Sequence, residues 1–421
     1  MNRRNFIKNV AAISVAGTIV NQLNTDERLS ADTNANLARA GDASEITPRA
    51  ITMWDFSWLE RRWPGAGYED WDKVLDELVE RGYDAVRIDA YPHLLAENPN
   101  KEWTLLPVWD QQVWGSPAVN KVTIHPALNC FIAKCKDRKI KVGLSSWYRE
   151  DVDKTLMNIT SPEIMAQNWI KTLDIIAKDN LLDTILYVDL CNEWPGDIWA
   201  PYFKNDPPEF TWTYWHTEKS MKYMRDSINQ VKQSYPNLSY CYSFTGGNPE
   251  LYVEKDLSFF DLLEHHIWMS QLNNDEYYKQ VGYKYDRFSP ESYKNLVENS
   301  EKVYYEKPDY WKKILTDGIQ LVAESAKKAE LPLITTECWG LVDFKDWPLL
   351  KWDIVKELCE LGTLTAAATG QWIAIATSNF CGPQFIGMWR DVEWHQRLTQ
   401  KIKSSVIHEE LLTQKIKNAL L

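Results

Sequence analysis

The sequence predicts an α/β fold: a single (β/α)8 TIM barrel with long βα loops over residues 49–421, preceded by an export signal and polar linker over 1–48. Three observations carry this expectation. From residue 50 onward, short β-rich runs alternate eight times with helical patterns. No Gly-rich phosphate turn follows the first run, although a doubly wound nucleotide-binding sheet would require one. The composition is globular, 44% hydrophobic and 25% charged, with enough chain for one large core and no repeat or low-complexity stretch to mark a second domain.

The first strand is expected at Ile51–Trp58. An acidic amphipathic helix follows near Asp70–Arg81, with Trp71, Val74, Leu75 and Leu78 on one face, and Gly82 stops it. Asp84–Tyr91 is the second strand. After a long loop (92–124), a helix ends at Lys139 and Ile140–Trp147 forms the third strand. Ser161-Pro162 opens a helix running to Lys178, with proline in its first turn, and Thr184–Cys191 is the fourth strand. A helix from about Tyr214 to Gln233 precedes the fifth, Leu238–Phe244, and a short connection leads to the sixth, Phe259–Trp268. A Tyr-rich loop (270–307) precedes the helix Asp309–Ala329 and the seventh strand, Leu331–Cys338. A helix near Trp347–Leu361 leads into Leu364–Thr377, which holds the eighth strand, and further helices close the chain.

At the N-terminus, Arg3, Arg4 and Lys8 stand ahead of an apolar run from Val10 to Val20. This is a secretory-signal pattern, too short to span a membrane comfortably. The paired arginines with Phe6, Ile7 and Lys8 resemble the bacterial twin-arginine leader, which exports folded proteins. That route suits seven cysteines, an odd number with no metal-binding spacing. A basic Sec leader is the alternative. Either one directs the mature protein to the periplasm or outside a Gram-negative cell. Past residue 20 no apolar run approaches membrane length, so no stable membrane insertion is expected once the signal is removed.

A net charge of −12 gives no global field that attracts nucleic acid, and no basic run makes a local one. Beside 20 Tyr and 12 Phe stand 21 Trp, more tryptophan than a core alone asks for. Flat rings stack on neutral, hydroxyl-rich ligands, so the expected partner is an oligo- or polysaccharide. The sequence leaves the oligomeric state open.

In such a barrel, chemistry sits at the C-terminal ends of the strands. Two glutamates stand there: Glu193, in Asn192-Glu193-Trp194-Pro195 after the fourth strand, and Glu337, in Thr335-Thr336-Glu337-Cys338-Trp339 at the end of the seventh. An acid ending a strand that is buried on both faces requires a reason. Retaining glycoside hydrolysis supplies one, because it uses two carboxyl groups about 5–5.5 Å apart. Strands four and seven of a closed barrel can present side chains toward a common central point.

This pattern resembles the clan A retaining glycoside hydrolases, the superfamily of many cellulases, mannanases and β-galactosidases. The resemblance spans about residues 50–390. It implies Glu193 as the acid/base, Glu337 as the nucleophile and Asn192 as the amide that holds the sugar 2-hydroxyl. It also implies that Arg87, in Tyr83-Asp84-Ala85-Val86-Arg87, orients the nucleophile. Glu264-His265-His266-Ile267-Trp268 is similar to the clan's His-x-Tyr arrangement, with Trp268 in place of Tyr; Tyr242 or Tyr240 would then supply the hydroxyl that bonds the nucleophile.

Alternation sends only one of His265 and His266 inward. The inward one is expected as a hydrogen-bonding site residue rather than a metal ligand, and no metal or cofactor is called for. Asp189 shares a strand face with Glu193 and points into the barrel, while Asp55 and Asp89 end strands as substrate contacts or structural partners. Tryptophans cluster after strands at 54, 58, 147, 194, 199, 268 and 339. Of these, Trp54, Trp147, Trp268 and Trp339 are the expected sugar contacts, with Trp339 as the floor of the cleavage subsite. Trp71, on a helix face, belongs to the core.

The implied reaction is retaining hydrolysis of a β-glycosidic bond. Glu337, ionised beside Arg87, attacks the anomeric carbon. Glu193 starts protonated, protonates the leaving oxygen and then acts as base on water. Transglycosylation differs only in the acceptor. A catalytically weak carbohydrate-binding protein would keep the aromatics, whereas a serine hydrolase lacks its Gly-x-Ser-x-Gly here. Sugar, linkage and endo or exo action depend on the long loops.

Overall fold

The computed structural model describes residues 46–108, 118–195, 213–284 and 289–421. The expected leader, the linker up to residue 45 and Trp199 lie outside the described residues. The barrel strands, in chain order, are β1 (Arg49–Asp55), β2 (Ala85–Asp89), β3 (Lys141–Ser145) and β4 (Ile185–Asp189). They continue with β5 (Tyr240–Cys241 and Ser243–Thr245), β6 (Leu263–Trp268), β7 (Leu333–Thr335 and Cys338–Trp339) and β8 (Trp372–Ala376). Every neighbouring pair is parallel, and β8 pairs back onto β1 through Ala50↔Ile375, so the sheet closes. This is the (β/α)8 barrel expected from the alternation.

The strands are buried on both faces, as parallel strands between a filled interior and a helical coat must be. Register sets the interior layers. Arg87 lies opposite Gly143, which lies opposite Tyr187. A Cβ on Gly143 would come within 2.5 Å of the Tyr187 ring, so glycine makes room for that ring in the barrel.

The outer helices follow their local signals. Trp71–Glu80 starts where the Asp70 side chain accepts hydrogen bonds from Asp72 N and Lys73 N, and it buries Trp71, Val74, Leu75 and Leu78. Pro162–Lys178 is capped by Ser161 and carries proline in its first turn.

Four expectations change at the connections. β1 ends at Asp55 rather than Trp58, because Ser57–Glu60 turns into a short helix. Residues 92–124 are not bare loop: they contain the helix Pro92–Glu97 and an antiparallel pair, Glu102–Leu105 with Asn120–Thr123. Such elements are too short to show a period. The Tyr-rich stretch 270–307 holds the helices Leu272–Val281 and Pro290–Glu306. Their buried positions include Tyr277, Tyr278 and Tyr304, whose mixed character hides the apolar stripe. Finally, Asp353–Thr369 runs past Leu361 until Gly370, at φ 72°, ends it, which leaves only Trp372–Ala376 for the eighth strand.

Candidate active site

The C-terminal mouth of the barrel is marked first by its backbone. Asp55, Tyr91, Tyr148 and Glu193, which leave β1, β2, β3 and β4, have φ of 34°, 49°, 50° and 50°. None is glycine, so each of these left-handed residues costs about 1–3 kcal/mol. Glu193 is held in this conformation by its N–H donating to Ser243 Oγ at 2.9 Å, while Trp194 N donates to Ser243 O. Strain of this kind collects where side-chain direction matters more than backbone comfort.

Arg87 stands at the centre and is fully buried. Its Nε and Nη2 donate to the two carboxylate oxygens of Asp55 at 2.9 and 2.8 Å, a bidentate fork. Nη2 also donates to Glu337 Oε1 at 2.6 Å. Nη1 reaches Asn192 Oδ1 at 2.8 Å, Thr336 Oγ1 at 2.6 Å and Glu264 Oε1 at 3.2 Å. One guanidinium therefore ties together β1, β2, β6, β7 and the segment after β4. Burying it unpaired would be prohibitive; three carboxylates compensate it.

Glu337 lies in the break between the two segments of β7, and Asn192 Nδ2 also donates to its Oε1, at 3.2 Å. Asn192 is itself oriented by Ser243 Oγ, at 3.0 Å from Oδ1. Ser243 is set in turn by Asp189, whose carboxylate accepts from Ser243 N and Oγ and from Ser145 Oγ. Asp189 thus acts through its neighbours, below the mouth. Burial raises its carboxyl to about 7, helped by the nearby charge of Glu264.

Of the two histidines, His266 faces inward and His265 meets the Tyr252 hydroxyl behind the wall. His266 Nδ1 lies 3.0 Å from Glu193 Oε1 and 3.7 Å from Glu337 Oε2, and Nε2 lies 3.6 Å from Glu264 Oε1. Burial alone would discharge this imidazole. The charge of Glu337 and the bonds to Glu193 and Glu264 outweigh burial and push it up to about 10, so it is a cation at neutral pH. For Glu264, burial works toward the neutral form, but His266, Arg87 and Thr336 hold it down at about 2. Burial and the neighbouring His266 charge drive His265 to about 3, and it stays neutral.

Glu193, His266 and Glu337 each offer a ligand atom, all within 4.8 Å of one another. A single cation could be held by such a set. It would have to displace the proton of His266 and sit beside the guanidinium, whose Nη1 is 3.4 Å from His266 Nε2. The arrangement favours shared protons over a metal. Two carboxylates facing each other at this separation, one of them gripped by a guanidinium and an amide, can serve as nucleophile and proton donor across one bond.

The structure separates the tryptophans. Trp147 is half-buried at the mouth, with Nε1 donating to Asp55 Oδ2 at 2.7 Å and its backbone N–H to Asp89 Oδ2 at 2.7 Å. Trp268 ends β6 and is buried. Trp54 and Trp339, expected to contact sugar, are instead wall residues. Trp54 is 1% exposed, donates to Cys381 O and packs on Tyr68 and Trp389. Trp339 is fully buried, donates to Ala376 O and fills the space that a side chain at Gly362 would need. Trp54 follows alternation, since its neighbour Met53 lies opposite the inward Arg87. Trp339, two residues past Glu337 across the break in β7, does not, and its ring lies against Gly362 of the helix Asp353–Thr369. Trp58 and Trp194 are likewise buried, bonded to Asp89 O and Ser220 Oγ. Tyr240 and Tyr242 do not reach Glu337: their hydroxyls bond Tyr235 O and, for Tyr242, Ser227 and Met165. His266 occupies the position beside Glu337 that a tyrosine was expected to take.

Sequence reasoning gave Glu264 no role. It is a charged residue inside an apolar parallel strand, two positions before His266 on the same face, and that anomaly was its signal.

The model of a cellulase-like family, described as sugar-binding cellulase-like, matches residues 51–403. The crystal structure of a presumed glycoside hydrolase from Parabacteroides distasonis ATCC 8503 shares 62% identity, covers 89% of this chain and 99% of its own, and superposes with a TM-score of 0.87. The endo-β-1,4-mannanase from Thermotoga petrophila has a similar fold, with a TM-score of 0.50 at 11% identity over 86% of this chain and 78% of its own. No curated protein sequence matches significantly.

Proposed function

Because this chain belongs to the sugar-binding cellulase-like family, we propose that it hydrolyses a β-glycosidic bond of an oligo- or polysaccharide with retention of configuration. One observation supports this reading above the others: a carboxylate oxygen of Glu193 and one of Glu337 lie within 4.8 Å of each other at the barrel mouth. So short a spacing supports a double displacement over inversion, which needs room for a water between its acids.

Glu337 is the nucleophile. Arg87 and Asn192 both donate to its Oε1 and fix the carboxylate, and Oε2 is left to approach the anomeric carbon. Glu193 protonates the leaving oxygen, and the glycosyl–Glu337 ester forms as the glycosidic bond breaks. Glu193 then takes a proton from water, which attacks the anomeric carbon and releases Glu337. His266, bonded to Glu193 and close to Glu337, is a fixed positive charge between the two acids. Trp147 offers the partly exposed ring on which a sugar face can stack. Export through the N-terminal leader would bring such an enzyme to polymers outside the cytoplasm.

A panel of aryl β-glycosides (glucoside, galactoside, mannoside, xyloside), assayed with wild type beside Glu337→Gln, tests the reading. Turnover of one sugar that vanishes in the variant is expected. Full activity in Glu337→Gln would overturn the assignment. The near-complete burial of both glutamates, 6% exposed each, favours a second reading, a protein of this family that binds sugar with little turnover. Binding of an oligosaccharide without hydrolysis would select it.

A further inference from the structure

Among the described residues, two side chains with unpartnered buried groups lie on either side of the strand end that carries Glu337. In the segment after β8, Thr377 Oγ1 meets the Tyr83 hydroxyl, and Ser378 Oγ accepts from Phe380 N at 3.1 Å. Asn379 is different. It is fully buried, and neither its Oδ1 nor its Nδ2 has a hydrogen-bond partner among the described residues. Its backbone N–H donates to Cys338 O at 3.2 Å, which fixes it beside the residue that follows Glu337. On the other side of the same segment, β6 pairs Ile267 with Cys338 and Trp268 with Trp339. Trp268 Nε1 is also buried and unpartnered among the described residues. Two orphaned polar groups thus flank the strand end that carries Glu337.

An unpaired buried amide is destabilising, and such groups in a folded protein call for an explanation. Asn379 has both a donor and an acceptor, the complement of two adjacent hydroxyls, one accepting and one donating; the indole N–H adds a second donor. An anionic ligand is disfavoured by the carboxyl groups nearby, and a cationic one by the Arg87 guanidinium among them. We propose that Asn379, together with Trp268 Nε1, binds a vicinal pair of hydroxyls on the sugar held over Glu337, and that it selects the sugar by their configuration. The inference rests on the glycosidase reading above and extends it to a residue outside the acid pair.

The test uses the full protein and the aryl β-glycoside that wild type turns over best, with its monodeoxy analogues. Asn379→Leu keeps volume and removes the need for partners, so its thermal midpoint should stay or rise while kcat/KM falls roughly 10- to 100-fold, as for two lost hydrogen bonds. That loss should shrink to less than about threefold on the analogue lacking the contacted hydroxyl. Asn379→Asp, which exchanges the donor for an acceptor, should show the same selectivity if the leucine variant folds poorly. Equal losses on every analogue, activity within about twofold of wild type, or a lowered midpoint as the sole change would each overturn the inference and give Asn379 a structural role. Silence of wild type on all glycosides would defeat the parent reading, and this inference with it. An active wild type with an indifferent Asn379→Leu defeats only the inference.

Discussion

Arg87 and Glu337 are joined by a 2.6 Å hydrogen bond although they come from β2 and from the break in β7, strands on different sides of the barrel. Both are buried, and the same guanidinium forks onto Asp55. The position of Glu337 and the stability of the barrel are therefore one problem. Arg87→Met leaves Asp55, Glu264 and Glu337 without their common cation and should cost about 3–5 kcal/mol in a urea titration. Arg87→Lys should recover little, because an ammonium cannot reproduce the fork. Wild-type stability in the lysine variant would contradict this account.

The His266 imidazole is raised to about 10, above its ordinary 6.5. A group whose folded value is raised stabilises the fold fully below the unfolded value and loses that contribution as pH climbs through the folded one. The gap in thermal midpoint between wild type and His266→Gln should therefore be widest below about pH 6.5 and close toward pH 10. A gap independent of pH over that window would show that His266 is not charged in the folded protein.

The trio Glu193, His266 and Glu337 is compact enough for a cation, yet Arg87 and the charged imidazole already supply positive charge there. Exhaustive dialysis against a chelator should leave glycoside turnover unchanged. Loss of activity restored by one divalent metal would reassign the site.

Trp147 and Trp339 should part company. Trp147→Ala removes the half-exposed ring at the mouth and should lower kcat/KM roughly tenfold or more, the expected loss of one stacking face with its hydrogen bond to Asp55. Trp339→Ala opens a cavity between β7 and the helix Asp353–Thr369 and should cost about 3–5 kcal/mol of stability while leaving KM alone. The opposite pattern would restore Trp339 as a sugar platform.

Glu193 and Glu337 were legible in the sequence because a charge at the end of an apolar parallel strand is conspicuous; Arg87, at the centre of β2, was found through the resemblance. Glu264 carried the same signal at mid-strand, but its role depends on Arg87 and Thr336, which approach from β2 and from beside Glu337. The barrel itself was readable from the alternation of strand and helix. The helices within 270–307 were not, since buried tyrosines there stand among polar neighbours. The tryptophans could not be ranked either. Whether a ring is left partly open at the mouth or seals the wall depends on which way it turns at the strand end, as Trp147 and Trp339 show, and composition does not hold that information. Asn379 was silent for a related reason, as its significance lies in partners it does not have.

The most direct test of the central claim is intact-mass and peptide analysis after incubation with a 2-deoxy-2-fluoro aryl glycoside of the accepted sugar, which slows the second displacement. One fluoroglycosyl group is expected, carried by Glu337 and absent from Glu337→Gln. A label on another carboxylate, or continued turnover with no covalent adduct, would contradict it.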